Sequence, residues 1–211
     1  DDISSIQSGS ENPTGLRFVE FPIYNAMFAG LYSLLPFVPI EAYGRLVTIF
    51  FSLLVIAIIY YLLLKEHSRL SAFMGAMIYS VFPAFVFFSR VVLPETTAVA
   101  FSFMAILFLY WWQNQKKSDF ALMLFGLSTL CFALSILIKP TVIFYGIVLL
   151  YIFISKYKFG LLKKFYFYFY FFLAALPFIL WRLYIDKFPE GIPSSDWLIT
   201  SVNTFEGQKV I

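Results

Sequence analysis

The sequence predicts an all-α integral membrane protein, a polytopic helix bundle of about six spans plus one interfacial helix. Of its 211 residues, 61% are hydrophobic, 22% are aromatic and only 13% are charged, and the mean hydropathy is +0.85. A soluble domain is nearer to about half apolar and about a quarter charged. The 28 Phe and 14 Tyr side chains exceed what one water-soluble core of this size holds. The small net charge of +3 suggests no nucleic-acid partner.

Six stretches without a charged residue predict the spans. A helix needs about 20 residues to cross the hydrocarbon, within a range of roughly 17 to 25. Five stretches meet this length directly, and the fifth in chain order does so if its polar ends snorkel. Backbone groups must pair within the segment in lipid, so we expect helices; the alternation of a barrel is absent. The stretches are Leu46–Leu64, Leu70–Ser89, Thr96–Gln115, Phe120–Ile138, Pro140–Ser155 and Phe165–Trp181.

The stretch Phe21–Ile40 is also uncharged and long enough to span, but its composition favours an interface. It contains four polar or helix-breaking residues and is followed at once by an acid and a base: Asn25, Ser33, Pro36, Pro39, Glu41 and Arg45. We therefore predict an interfacial or re-entrant helix that lies against the bundle. The aromatic run Phe165–Phe172 predicts an interfacial belt and a lipid-facing surface.

The two ends of the chain suggest a piece of a longer polytopic protein. The chain begins at Asp1-Asp2 without Met or a signal sequence and stops at Ile211 in a predicted loop. Within 1–211 we predict a single transmembrane domain. Its parts are an outer loop over 1–45 with the interfacial helix 21–40, six transmembrane helices over 46–184, and the start of a further outer loop over 185–211. Cys131, the only Cys, cannot form an intrachain disulfide.

Loop charges predict the orientation in the membrane. The loops between spans one and two, three and four, and five and six hold eight basic residues against Glu66 and Asp119, a balance of +6. All other segments hold seven basic and ten acidic residues, a balance of −3. Short loops rich in Lys and Arg are cytoplasmic. The basic residues are Lys65, Arg69, Lys116, Lys117, Lys156, Lys158, Lys163 and Lys164; Glu20, Arg90, Glu95 and Lys139 then lie on the extracytoplasmic face.

Each of these four outer residues also has a purely structural explanation. Pro94 and Glu95 begin the third predicted span, where Pro suits the first turn and a carboxylate complements the positive end of the helix dipole. Arg90 and Lys139 end spans, where cations are favoured. Glu20 precedes Phe21-Pro22, as an acid at a helix start would. These explanations do not predict that two acids and two bases meet at one membrane face in very short connections.

A charged rim of this kind suits the transfer of a sugar from a lipid phosphate. The lipid tail would lie among the spans and the phosphate at headgroup depth. Lys or Arg would neutralise the phosphate as it leaves. A carboxylate would take the proton from an acceptor hydroxyl, or hold that hydroxyl in line for attack. No covalent intermediate is required.

Three segments carry a resemblance to a known family: FVEFPIYNAMFAGLYSLLP, FFSRVVLPETTAVAFSFMAILFLYWW and ALSILIKPTVIFYGIVLLYIF. In this order they resemble the N-terminal half of the GT-C membrane glycosyltransferases, from about Arg17 to Tyr184. They are most similar to glycosyltransferase family 39, the dolichyl-phosphate-mannose protein mannosyltransferase-like group, with its bacterial aminoarabinose-transferase cousins. The resemblance implies a partial GT-C fold.

The resemblance also implies roles for the outer residues. The motif at 20–22 resembles the acidic motif of the family's first outer loop, so Glu20 would be a catalytic residue that faces the donor site. The pattern at 90–95 matches the second outer loop, which makes Glu95 the other catalytic candidate. Arg90 and Lys139 would bind the substrate at its phosphate. The principal catalytic aspartate of the family would lie upstream of this chain.

The sequence therefore predicts a membrane glycosyltransferase. It would move a sugar from a polyprenyl-phosphate donor to a lipid, glycan or protein acceptor on the outer face of the cell (inner or plasma) membrane. A divalent cation, Mg²⁺ or Mn²⁺, held by Glu20 and Glu95 is left open; His67, the only His, falls on the cytoplasmic side.

Two other classes remain as alternatives. A transporter or flippase for a lipid-linked substrate would explain the bundle and the rim charges. Transporters, however, usually place ionisable groups near the bilayer midplane, and the six predicted spans contain none. A structural membrane subunit would leave the clustered rim charges unexplained.

Overall fold

The computed structural model of the protein describes residues 20–115 and 118–187, which form helices and connecting turns without a strand among them. The chain divides into two compact units, one of Pro22–Phe178 and one of Asp1–Phe21 with Ile179–Ile211. We call Pro22–Phe178 the bundle. The parts of the predicted outer loops at 1–19 and 188–211, together with Lys116 and Lys117, lie outside the described residues.

The described helices follow the predicted spans closely. Five helical segments of the described chain are long and apolar enough to cross a membrane, and a bent pair makes a sixth if it counts as one span. This confirms the prediction of an all-α, polytopic membrane fold. The helices are α1 (Ile23–Leu34), α2 (Ile40–Glu66), α3 (Arg69–Val81), α4 (Pro83–Arg90), α5 (Glu95–Asn114), α6 (Ser118–Ile138), α7 (Gly146–Tyr157) and α8 (Phe165–Ile185), with 3₁₀ helices at Pro140–Tyr145 and Lys158–Lys163.

The stretch that we expected at the interface contains α1. Its 12 residues span about 18 Å at about 1.5 Å per residue, which is short of the roughly 30 Å of hydrocarbon in a bilayer. Pro39 caps α2, so that helix begins at Ile40 and not at the predicted Leu46. The first turns of α2 therefore contain Glu41 and Arg45. A position of α1 along the outer face stays a prediction, as do the predicted loop boundaries.

The second predicted span, Leu70–Ser89, is divided into α3 and α4, which are bent by 60° relative to each other. The break falls at Phe82, whose extended backbone (φ −65°, ψ 125°) precedes Pro83 at the start of α4. A residue before Pro is disfavoured in the helical region, and Pro has no N–H to donate to the preceding turn. Tyr79 and Phe85 stack across the bend, with ring centroids 4.2 Å apart.

The antiparallel helices α5 and α6 are joined through small and polar side chains. The hydroxyl oxygens of Ser102 and Ser135 lie 2.6 Å apart, and Ser135 also donates to the Ala98 carbonyl at 2.9 Å. Further along, Ser128 donates to the Ala105 carbonyl at 2.7 Å. In a membrane, small residues let helices approach closely and hydroxyls bond across the interface. This pairing places the first turn of α5 beside the last turn of α6.

Candidate active site

Glu95 and Lys139 form an ion pair where α5 begins and α6 has just ended. The distance from Lys139 Nζ to Glu95 Oε1 is 2.9 Å, and each side chain is 26% exposed. Glu95 is the first residue of α5, and Lys139 is the N-cap of the 3₁₀ helix that follows α6. The sequence placed these two charges at the same face. The structure brings them into direct contact because α5 and α6 are antiparallel neighbours.

Helix electrostatics accounts for one oxygen of Glu95 but not for the other. The carboxylate lies at the positive end of the α5 dipole and its Oε1 contacts Lys139, as a purely structural role would require. Oε2, however, is buried and has no hydrogen-bond partner among the described residues. An unsatisfied buried polar atom costs about 1–3 kcal/mol, and more when it is charged. This oxygen can therefore accept a hydrogen bond from a group that enters the site.

A cavity of about 210 Å³ opens beside the ion pair, and we call it the Glu95 cavity. This is below the roughly 300–1,000 Å³ that encloses a whole drug-sized ligand, so it has room for only part of a larger one. Apolar side chains form most of its wall, while Glu95 and Lys139 contribute its charged groups. The wall also includes Tyr79, Phe85, Phe88, Thr96 and Thr141.

Tyr24 connects α1 to the same end of the bundle. Its buried hydroxyl donates to the Gly44 carbonyl at 3.0 Å and lies 2.9 Å from Thr48 Oγ1. Burial raises the pKa of Tyr24, the hydrogen bond to Thr48 opposes this, and the negative charge of Glu95 raises the pKa further. The helix α1 is therefore within electrostatic reach of Glu95.

Gly44 allows the connection between α4 and α5 to lie against α2. A Cβ at this position would be only 2.6 Å from Val92 Cγ1, so a larger residue would force Val92 to shift. The sequence alone predicted no role for Tyr24, Thr48 or Gly44. A Tyr in an apolar stretch is a signal, because a buried phenol usually has a polar partner.

Arg90 is not brought into this contact by any described interaction. Arg90 ends α4, is exposed and forms no ion pair within 20–115 and 118–187. Glu20 belongs to the unit of Asp1–Phe21 and Ile179–Ile211, in which the rings of Phe21 and Trp181 meet edge to face at 4.8 Å. The expected roles of Glu20 and Arg90 therefore stay predictions.

The described residues do not by themselves form a divalent-cation site. No group of three or more His, Cys, Asp or Glu side chains comes together within the described ranges. Glu95 already faces the ammonium group of Lys139, and a metal ion would be repelled by that charge. The predicted Mg²⁺ or Mn²⁺ on Glu20 and Glu95 remains a prediction.

A membrane-spanning helical bundle with a charged pair and a cavity at one end defines a polytopic membrane protein with a candidate site at the membrane rim. Residues 22–183, more than half of the chain, match the family model described as dolichyl-phosphate-mannose-protein mannosyltransferase. The chain belongs to this family, and its general class is therefore membrane glycosyltransferase. The matched range includes Arg90, Glu95 and Lys139, whereas Glu20 precedes it. No curated protein and no solved structure matches the chain.

Proposed function

We propose that the protein transfers a hexose or pentose from a polyprenyl-phosphate donor to an acceptor on the extracytoplasmic face of the cell membrane. The acceptor would be a lipid, a glycan or a protein of the cell envelope. The observation that carries this proposal is the set of contacts that the Glu95 carboxylate makes and the cavity beside it. Lys139 holds one of its oxygens, the other is buried without a partner among the described residues, and a cavity lies beside both groups.

In the proposed reaction, the oxygen of an acceptor hydroxyl attacks the anomeric carbon of the donor sugar. The bond between that carbon and the phosphate oxygen breaks, and its electron pair leaves with the polyprenyl phosphate. The hydroxyl proton passes to a carboxylate, for which Glu95 is the first candidate and Glu20 the second. Attack from the side opposite the phosphate inverts the configuration of the sugar.

Lys139 supplies the positive charge that the leaving phosphate needs. Charge develops on that phosphate as the glycosidic bond breaks, so a cation fixed in advance beside it lowers the barrier. A donor phosphate bound at Lys139 would compete with Glu95 for the ammonium group and release the carboxylate as a base. Arg90, on the exposed end of α4, is the second candidate for a phosphate contact.

The distribution of basic residues supports placing the Glu95–Lys139 pair on the outer face of the membrane. The ion pair lies at the end of the bundle where α5 begins and α6 ends. The basic residues at the opposite helix ends include Lys65, Arg69, Lys156, Lys163 and Lys164. Because Lys and Arg in short loops favour the cytoplasm, the Glu95 end is proposed to be extracytoplasmic.

The test is a matched pair of substitutions in the full-length protein, reconstituted in vesicles with a synthetic polyprenyl-phosphate sugar. If Glu95 is the base, Glu95→Gln slows transfer by about 10²-fold or more without unfolding the protein. If Glu95 only completes a helix dipole, the same change costs about 0.3–1 kcal/mol of stability and leaves transfer intact. Glu66→Gln, which changes a carboxylate at the opposite end, is the control and keeps full turnover.

Wild-type turnover in a folded Glu95→Gln variant would contradict the assignment of Glu95 and leave Glu20 as the catalytic candidate. The transporter or flippase alternative predicts a different result. It requires movement of the intact donor across the vesicle membrane, with no release of free polyprenyl phosphate by the wild-type protein.

A further inference from the structure

Two cavities in the bundle share an aromatic wall. Beside the Glu95 cavity lies a second cavity of about 200 Å³, which we call the Ser52 cavity; its polar lining residues include Ser52, Ser80 and Ser89. Tyr79 and Phe85 line both cavities, and their rings stack at 4.2 Å with an angle of 19° between the planes. We call this stacked pair the aromatic partition.

The two cavities differ in their surroundings. The Glu95 cavity contains the charged pair, whereas the Ser52 cavity has no charged residue in its wall. Tyr24 contacts the first turns of α2, and the α2 residues of the Ser52 cavity lie further along that helix, away from the Glu95 end. Two of them, Ile49 and Leu53, are 45% and 60% exposed on the surface of the bundle. The α2 wall of the Ser52 cavity is therefore partly exposed on the apolar surface of the bundle, which we place against the hydrocarbon of the membrane.

We propose that the aromatic partition controls entry of the isoprenoid tail of the donor, whose phosphate binds at Lys139 and whose tail extends into the Ser52 cavity. This inference rests on the proposed function. Neither cavity reaches the size of a complete ligand site, but together they provide about 400 Å³, within the roughly 300–1,000 Å³ typical of such sites. Movement of the Phe85 ring joins them into one cleft, charged at one end and uncharged at the other.

The break between α3 and α4 makes this movement local. Phe85 lies on a helix of 8 residues that follows the extended Phe82 and Pro83, so it can shift without unwinding α3. The far end of α4 is held by Thr96, which donates to the Phe88 carbonyl at 2.9 Å. A change at Phe85 therefore alters access between the cavities without displacing Glu95 from the first turn of α5.

Substitutions at position 85 should act in opposite directions if the partition controls entry. Phe85→Ala opens the wall and lowers KM for a long-chain polyprenyl-phosphate sugar, whereas Phe85→Trp narrows it and raises KM. The expected change in each case is about tenfold, with kcat little altered. The matched controls are Phe87→Ala and Phe87→Trp, because Phe87 is exposed on the same short helix and lines neither cavity. A merely structural role would move both position-85 variants in the same direction.

A binding experiment separates this inference from the proposed function. The full-length protein is irradiated with a polyprenyl phosphate that carries a diazirine in its tail, and the labelled peptides are mapped by mass spectrometry. We expect labels on peptides 49–56 and 85–89, stronger in Phe85→Ala and weaker in Phe85→Trp. Labels elsewhere, or equal responses at positions 85 and 87, would overturn the inference. Labelling that follows position 85 without sugar transfer by any variant would contradict the proposed function alone.

Discussion

Both ends of the α5–α6 pair carry charged side chains, but the partners of these side chains differ between the two ends. At the end where α5 finishes, Lys156 Nζ donates to the Trp112 carbonyl at 3.2 Å and lies 3.5 Å from the centroid of its ring. Glu66 there accepts a 2.5 Å hydrogen bond from the Tyr110 hydroxyl. At the end where α5 begins, Glu95 has one oxygen paired with Lys139 and one buried without a described partner.

This difference separates charges that hold the structure from charges that are available for chemistry. Lys156 lies against the ring of Trp112, and Glu66 accepts a hydrogen bond from Tyr110. Lys and Tyr side chains at a membrane interface commonly make such contacts. Glu95, in contrast, lines a cavity and has one carboxylate oxygen, Oε2, without a described hydrogen-bond partner. A charge at a helix end is thus a weak sign of a site by itself, whereas an unsatisfied buried acceptor that adjoins a cavity is a stronger one.

The largest expected effect is the all-or-none difference in accessibility between the two ends. In a Cys131→Ser background of the full-length protein, we expect Leu93→Cys to react with a membrane-impermeant maleimide from outside intact cells. Leu162→Cys should react only after permeabilisation, because it lies in the basic 3₁₀ helix at the opposite end. Both positions are exposed, at 38% and 71%, so a missing reaction would reflect sidedness and not burial. The reverse pattern would contradict the outer-face assignment.

The next largest effect is expected from a comparison of two lysines at opposite ends of the bundle. Lys139→Met removes the proposed phosphate contact, so we expect transfer by the full-length protein to fall by about 10²-fold. Lys156→Met loses a ring contact and a carbonyl hydrogen bond, which should lower thermal stability while turnover stays close to that of the wild type. Turnover and thermal unfolding in detergent are measured on the same preparations. Equal losses of turnover in the two variants would remove the distinction between the ends.

The spans could be predicted because hydrophobicity and freedom from charge are properties of a continuous segment. The break in the second span could not be predicted from the same quantities. Pro83 divides that span at Phe82, whereas Pro177 lies inside α8, which continues to Ile185. A Pro residue alone therefore does not decide whether a span breaks; the packing around it contributes, and hydropathy does not contain that information.

The candidate site could likewise be predicted only in part from the sequence. The short connections before Glu95 and Lys139 predicted a common face, and their contact follows from the antiparallel pairing of α5 and α6. The same reasoning predicted that Arg90 binds the donor phosphate as Lys139 does. Arg90, however, lies on the exposed end of α4 and forms no described ion pair. Tyr24 and Thr48 were missed because they are 24 residues apart on separate helices. Only the packing of α1 on α2 brings them together.

The smallest expected effect concerns Tyr24, a group at the Glu95 end that is fully satisfied. Tyr24→Phe removes its hydroxyl, but Thr48 still donates to the Gly44 carbonyl at 3.0 Å, so the expected cost is only about 1 kcal/mol. Because the folded protein raises the pKa of Tyr24, its neutral hydroxyl contributes full stability below about pH 10, and that contribution is lost as the pH rises through the folded-state pKa. Thermal unfolding in detergent should therefore show a smaller alkaline loss in Tyr24→Phe than in the wild type, whereas Tyr32→Phe, an exposed position on the same helix, should keep the wild-type loss. If Tyr24→Phe and Tyr32→Phe lose stability equally at alkaline pH, burial does not raise the pKa of Tyr24, and the buried contact of its hydroxyl with α2 is wrong.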